Sequence, residues 1–203
     1  MGQAVDGAFD LDRDQNLIRS RGPVYVDALL VLGSPHGSQE ATYQVRFTDL
    51  TKVKWLGPSD FFAGHAGPTP PIGIKPGWST AGMMALSPRN EARGFLAYGD
   101  HVGTEQEWVV QTAPPKRFIV EARVDYRVRH QVEFRDGVDH DRFRIWPVGE
   151  EEPDEWLIEE DDSAIPAEYP KYRECSFSLF QHSGFPIEWS DIRVRPLTSE
   201  DDA

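Results

Sequence analysis

Between Arg117 and Arg135 the chain alternates. Phe118, Val120, Ala122, Val124, Tyr126, Val128, Val132 and Phe134 fall on even positions, and the odd positions are almost all charged or amide residues. A helix would scatter these around its circumference, whereas a strand sorts them onto two faces. The stretch is longer than a typical strand, so a tight turn near Tyr126–Arg129 is expected, giving a hairpin that keeps this parity. The same period runs through ATYQVRFTDL, with Tyr43, Val45 and Phe47 against Gln44, Arg46 and Thr48. VYVDALLVLG, TAGMMALSP, GFLAYGDH and DRFRIWPV are short apolar runs bounded by turn residues and read as further strands. EEEPDEWLIEEDDS reads as a solvated acidic connection with one helical turn at Asp154–Ile158. GPSDFFAGHAGPTPPIGIKPGW, Gly57 to Trp78, is so dense in Gly and Pro that it is expected to be a long surface loop without regular structure.

The last strands, SLFQHSGFPIEWSDIRVRPL, break their own parity. Ile187 and Trp189 are odd; Ile192 and Val194 are even. One face cannot hold both pairs unless an extra residue intervenes, so a β-bulge is expected at Ser190–Asp191, with Trp189 buried before it. At least eight strands with turns between them, and almost no helix, imply an antiparallel sandwich or barrel. The polar residues 1–20 are expected to be a partly ordered arm, 21–198 one sandwich domain and 199–203 an acidic tail.

Composition narrows the partners. The net charge is −13 with a pI near 4.8, so nucleic acid, which needs a basic surface, is not an expected partner. Only Lys52, Lys54, Lys75, Lys116 and Lys171 are lysines, so arginine supplies most of the positive charge. The single cysteine, Cys175, allows no internal disulfide. The N-terminus lacks a basic segment followed by an apolar run, and no apolar stretch reaches membrane-spanning length. The expectation is no membrane partner and a cytoplasmic protein, or one whose leader has been removed.

The closing stretch resembles the final strands of the concanavalin A-like jelly rolls, and within them the 3-keto-disaccharide hydrolase domain family. Leu179, Gln181, His182, Gly184, Pro186, Ile187, Glu188, Trp189, Ile192 and Arg193 carry the likeness. ATYQVRFTDL and the strand pair ending at Asp136–Gly137 fall in that family's order. Its Asn-Ser-Gly strand start is here Thr80-Ala81-Gly82, and 57–78 has no counterpart. The resemblance implies a jelly-roll sandwich and a carbohydrate partner, acting on a glycoside or keto-sugar.

Catalytic motifs are sparse. The Glu-x-Asp-x-x-Glu strand of jelly-roll glycosidases, a His-Glu-x-x-His zinc pair and a Gly-x-Ser-x-Gly elbow are all absent from the sequence. No cofactor or metal site is expected, although Asp139, His140 and Asp141 have the oxygen-rich character that suits calcium; the blander reading of VDHDRF is a hairpin loop. His36 and His130 read as solvent-facing turn residues. YGDHVGTEQEW is the richest cluster. His101 and Glu107 are the candidate catalytic acid–base pair, because a histidine beside a carboxylate transfers protons near neutral pH. Asp60, His65, Trp78, Asp100 and Trp108 are the candidate sugar-binding residues, aromatic rings for ring faces and polar groups for hydroxyls. Two other classes stand beside the enzyme: a lectin-like binding module, and a structural subunit of a homo-oligomer with Phe61 and Phe62 at its interface.

Overall fold

The computed structural model describes residues 2–22, 24–51, 60–66, 80–86, 89–98, 108–112, 116–163 and 175–197; over 60–66, 80–86, 94–98, 108–112 and a few other strand positions it describes backbone pairing alone. In chain order the strands are β1 (Gly2–Asp6), β2 (Phe9–Asp12), β3 (Leu17–Ser20), β4 (Val24–His36), β5 (Gln39–Phe47), β6 (Asp60–Ala66) and β7 (Thr80–Leu86). They continue as β8 (Ala92–Tyr98), β9 (Trp108–Thr112), β10 (Asp125–Arg135), β11 (Val138–Pro147), β12 (Ile158–Asp161), β13 (Cys175–Gly184) and β14 (Ile187–Pro196). Among the described residues there is no helix, and so none long and apolar enough to cross a membrane. Sheet I has the order β1-β4-β13-β6-β7-β8-β9 and sheet II the order β12-β11-β10-β5-β14-β3-β2. All pairings are antiparallel. The expected all-β two-sheet sandwich is the fold.

The core lies between the sheets. Leu30, Phe177 and Leu179 of sheet I meet Tyr43, Val45, Phe47, Tyr126, Val128, Phe143, Ile145, Ile187 and Trp189 of sheet II. Tyr43 and Phe177 touch across the gap, ring centroids 5.4 Å apart. In β5, buried and half-buried residues alternate from Ala41 to Phe47, as the sequence pattern requires. The bulge is where it was expected: pairing of β14 with β5 shifts between Ser190 and Arg193, Asp191 takes φ 50, and Trp189 is fully buried.

The turn between β13 and β14 is held by a set of side-chain hydrogen bonds. Ser20 Oγ donates to Gln181 Oε1 (2.5 Å) and accepts from the Ile187 N–H (3.0 Å), while Gln181 Nε2 donates to the Phe185 carbonyl (2.8 Å). Gly184 supplies the φ of 93 that the turn requires. Thr48 Oγ1 donates to the Pro186 carbonyl at 2.6 Å. These residues hold the sandwich closed.

Several expectations are corrected. Residues 2–20, read as an arm, form three strands: β1 edges sheet I, and β2 and β3 extend sheet II. β1 and β2 are edge strands with most described side chains wet, and β3, between β14 and β2, is only partly buried, so the sequence looks polar. The Gly/Pro-rich segment contains a strand, β6, paired with β13; the rest of that segment lies outside the described residues. The turn in 117–135 falls at Ala122–Arg123, with Arg123 at φ 66, and β10 then runs unbroken to Arg135. Long partners on both sides, β5 and β11, satisfy its backbone along almost its whole length. At Asp154–Ile158 a bend leads into β12, with no helical turn. VDHDRF is strand, following the two positive-φ residues Asp136 and Gly137, which suit a two-residue hairpin. His130 is buried at 1% exposure within β10, not at a solvent-facing turn.

Candidate functional site: the outer face of sheet II

Of the residues nominated from sequence, Trp78, Asp100, His101 and Glu107 lie outside the described residues. Asp60, His65 and Trp108 lie on described backbone in sheet I. Asp60 opens β6 opposite His182, His65 pairs with Phe177, and Trp108 opens β9 opposite Tyr98. β6 and β9 are separated by β7 and β8, so His65 and Trp108 stand three strand spacings apart, about 14 Å.

The richest described geometry is on sheet II. Strand alternation sends the odd residues of β10 to its outer face, opposite the even residues of β5 and β11. The rows are Trp146–Arg127–Gln44–Ser190 and Arg144–Arg129–Thr42–Arg193. Glu40, 3% exposed, anchors the network. It accepts from Arg129 Nη1 (2.7 Å), Gln131 Nε2 (2.6 Å) and Arg195 Nε (3.1 Å). Burial pushes the Glu40 carboxyl up, but the bonds from Gln131 and Arg129, the Arg129 charge and Arg195 together hold it below the usual range. Glu152 reaches over from the segment after β11. It accepts from Arg129 Nε (2.6 Å) and Nη2 (2.9 Å) and from Arg144 Nη1 (3.0 Å). Burial opposes ionisation there too, and Arg129 and Arg144 outweigh it, so this carboxyl is also lowered.

Residues 148–157 form a saddle on this face. On one side is a groove of about 210 Å³ bordered by Thr42, Arg127, Arg129, Trp146, Glu152, Asp191 and Arg193. On the other is a cleft of about 490 Å³ whose apolar walls are Phe118, Ile145, Trp146, Pro147, Pro153, Trp156 and Leu157. Its rim carries Glu150, Glu151, Asp154 and Glu155, all exposed. Trp156 is held by the Arg144 guanidinium, 3.9 Å from its ring centroid, and Arg144 Nη2 also donates to the Asp154 carbonyl at 2.7 Å. The acidic connection therefore has a fixed shape and presents a tryptophan.

A buried His–Asp pair lies beneath this face. His130 Nε2 and Asp141 Oδ1 are 2.8 Å apart inside the sandwich, and the imidazole meets Phe143 edge-on at 5.7 Å. Burial pushes the Asp141 carboxyl up, and the hydrogen bond and charge of His130 only partly oppose it. Asp139 and Asp141 share the inward parity of β11 and His140 has the other, so the three do not gather around one point. Among the described residues no group of three His, Cys, Asp or Glu side chains is arranged to hold a metal ion.

The sequence reading missed the outer-face site. Its residues come from β5, β10, β11, β14 and the saddle, far apart in the chain, and the odd positions of β10 read only as a wet face. The available signal was arginine content: a −13 chain that places Arg127 and Arg129 two residues apart on one strand face.

No protein-family model matches the chain, and no curated protein matches it. Solved structures do. A carbohydrate-binding module, CBM66, from Bacillus subtilis superposes with TM-score 0.58 at 11% identity, over 96% of this chain and 94% of that one. The potassium-bound carbohydrate recognition domain of Emp46p gives 0.52 at 10% identity, over 97% and 89%. An endo-β-1,4-glucuronan lyase from the fungus Trichoderma reesei gives 0.50 at 12% identity, over 97% and 87%. At such identities the likeness is one of fold, and the chain's architecture is the concanavalin A-like jelly roll.

Proposed function

We propose that this protein is a carbohydrate-recognition sandwich and that the cleft beneath the 148–157 saddle receives a sugar chain. The observation that carries the reading is the cleft's make-up: Phe118, Trp146 and Trp156 beside exposed carboxylates at Glu150, Glu151 and Asp154. Aromatic faces pack on the apolar faces of sugar rings, and carboxylates accept bonds from hydroxyls. Jelly rolls described as carbohydrate-binding or carbohydrate-recognition domains support the same reading.

Recognition is favoured over turnover at this cleft because its rim carboxylates are exposed. Electrostatic stabilisation of a transition state needs a site that excludes water, and this rim is open to solvent. The alternative is an enzyme acting on a glycoside or 3-keto-glycoside through His101 and Glu107. It draws support from the closing-strand resemblance, although Gln181, Gly184 and Trp189 there have structural roles.

Calorimetric titration with a panel of oligosaccharides, beside a product screen on glycosides and 3-keto-glycosides, tests both. Trp156→Ala is expected to weaken binding about tenfold or more, as the loss of an aromatic anchor does. Binding without turnover fits recognition. Turnover abolished by His101→Ala would replace it with the enzyme. Unchanged binding in Trp156→Ala would move the ligand elsewhere.

A further inference from the structure

The arginines of the outer face divide into two kinds. Arg129, Arg144 and Arg195 are tied to Glu40 or Glu152. Arg127 and Arg193 have no ion-pair or hydrogen-bond partner among the described residues, yet both border the groove beside the saccharide cleft. β5 lies between their strands, so their backbones are two strand spacings apart, about 10 Å, and two arginine side chains span that distance.

The carboxylate in the groove does not satisfy them. Asp191, in its left-handed bulge conformation, accepts from Gln44 Nε2 at 2.7 Å and from Asn16 Nδ2 at 3.4 Å. Glu152 is taken by Arg129 and Arg144. Two guanidinium forks therefore stand open beside an acceptor, Asp191. Guanidinium groups bind carboxylates and sulfate esters through paired N–H donors, and a carboxylate beside them accepts from a sugar hydroxyl. A simple anion would use only the first feature; an acidic saccharide uses both.

We infer that this groove holds an anionic group, a carboxylate or sulfate ester, of the saccharide bound in the neighbouring cleft, between Arg127 and Arg193. The inference rests on the saccharide reading above and names its ligand class: an acidic polysaccharide.

The test is titration with three oligosaccharides of one length and linkage: a cello-oligosaccharide, its β-1,4-glucuronate counterpart and its sulfated form. The expected result is at least about tenfold tighter binding of one charged form, in line with a charge-assisted bond, and a preference that shrinks as salt rises. The charged form bound more tightly identifies the group. Arg127→Gln/Arg193→Gln should bring its affinity down to that of the neutral oligomer and leave the neutral affinity unchanged. Circular dichroism and Tm would show that the variant is folded. Equal binding of neutral and charged forms, or a preference that survives the double variant, overturns the inference while the saccharide reading stands. If no oligosaccharide binds but inorganic sulfate or acetate shifts the arginine Nε–H signals, the groove is a simple anion site and both the saccharide reading and the ligand class proposed here fail. If nothing binds and nothing shifts, the inference fails on its own ground.

Discussion

Arg129 and His130 are neighbours on β10 and face opposite ways. Arg129 lies on the outer face, part-exposed, between Glu40 and Glu152; both carboxyls are held below their usual range, against the push of burial. His130 points into the sandwich against Asp141, whose carboxyl is pushed up because burial outweighs the bond to His130. The chemistry of the pairs is similar, and the number of partners and the solvent decide the sign. Outside, each carboxylate gathers several donors and ionisation wins. Inside, one partner does not replace lost hydration. An outer-face charge can be exchanged with a ligand's; an inner-face charge can only set stability. The proposed division of sheet II, recognition on the outer face and cohesion on the inner, rests on that difference.

The sharpest break is on the inner face. Trp189→Ala should cost roughly 3–5 kcal/mol, as large aromatic truncations in cores do; the ring is fully buried and meets Phe9 at 6.3 Å. Urea denaturation measures it. A loss below about 1 kcal/mol would contradict the burial, since cavities of this size cost more. Asp141→Ala should cost about 3 kcal/mol, because it removes a hydrogen-bonded partner of the buried His130. A cost of only a few tenths would mean that the pair contributes nothing to cohesion.

What was legible in the sequence follows the same division. The parity of β5 and β10, the burial of Trp189 and the bulge at Ser190–Asp191 could be read because a period of two needs only nearby residues. His130 was legible in principle: it occupies an even position between Val128 and Val132, on the apolar parity, and a polar residue there is a buried polar residue. The strands in 2–20 were hidden because β1 and β2 are wet edge strands and all three are too short to show a sustained period. β6 was hidden because proline and glycine around it masked a run of strand-compatible residues. The groove and the cleft could not be read at all. Thr42, Arg127 and Arg193 become neighbours only through the pairing of β10, β5 and β14, and nothing local sets that order. Trp156 reads as part of a solvated acidic run, and only the Arg144 guanidinium over its ring, brought there by the fold, sets it apart.

On the outer face, Glu40→Gln should cost about 1–3 kcal/mol, the range for a buried group that loses charge-assisted bonds. Glu40 is the shared acceptor of Arg129, Gln131 and Arg195. Arg127→Gln breaks no described bond and should change stability by no more than about 0.5 kcal/mol. A larger loss would make Arg127 a structural residue and blur the contrast between the faces.

The smallest effect is the most diagnostic, because the two faces respond to acid with opposite signs. Glu40 and Glu152 titrate below their ordinary value of 4.5 in the folded protein. Their contribution is present above that pH and is lost as pH falls through the folded values. Asp141 titrates above its ordinary 3.8. The folded state binds its proton more tightly than the unfolded chain, so its contribution is full below that pH and declines as pH rises through the folded value. Between pH 7 and pH 4 the wild type therefore loses outer-face stability while it regains part of it inside. Asp141→Asn has no proton to regain, so its Tm should fall more steeply over that interval. Glu40→Gln has less to lose and should fall less steeply. Each kcal/mol corresponds to about 2–4 °C for a chain of this size, which is measurable by calorimetry. Parallel profiles for Asp141→Asn and the wild type would show that burial does not raise the Asp141 carboxyl, and the inner pair would then obey the same electrostatics as the outer one.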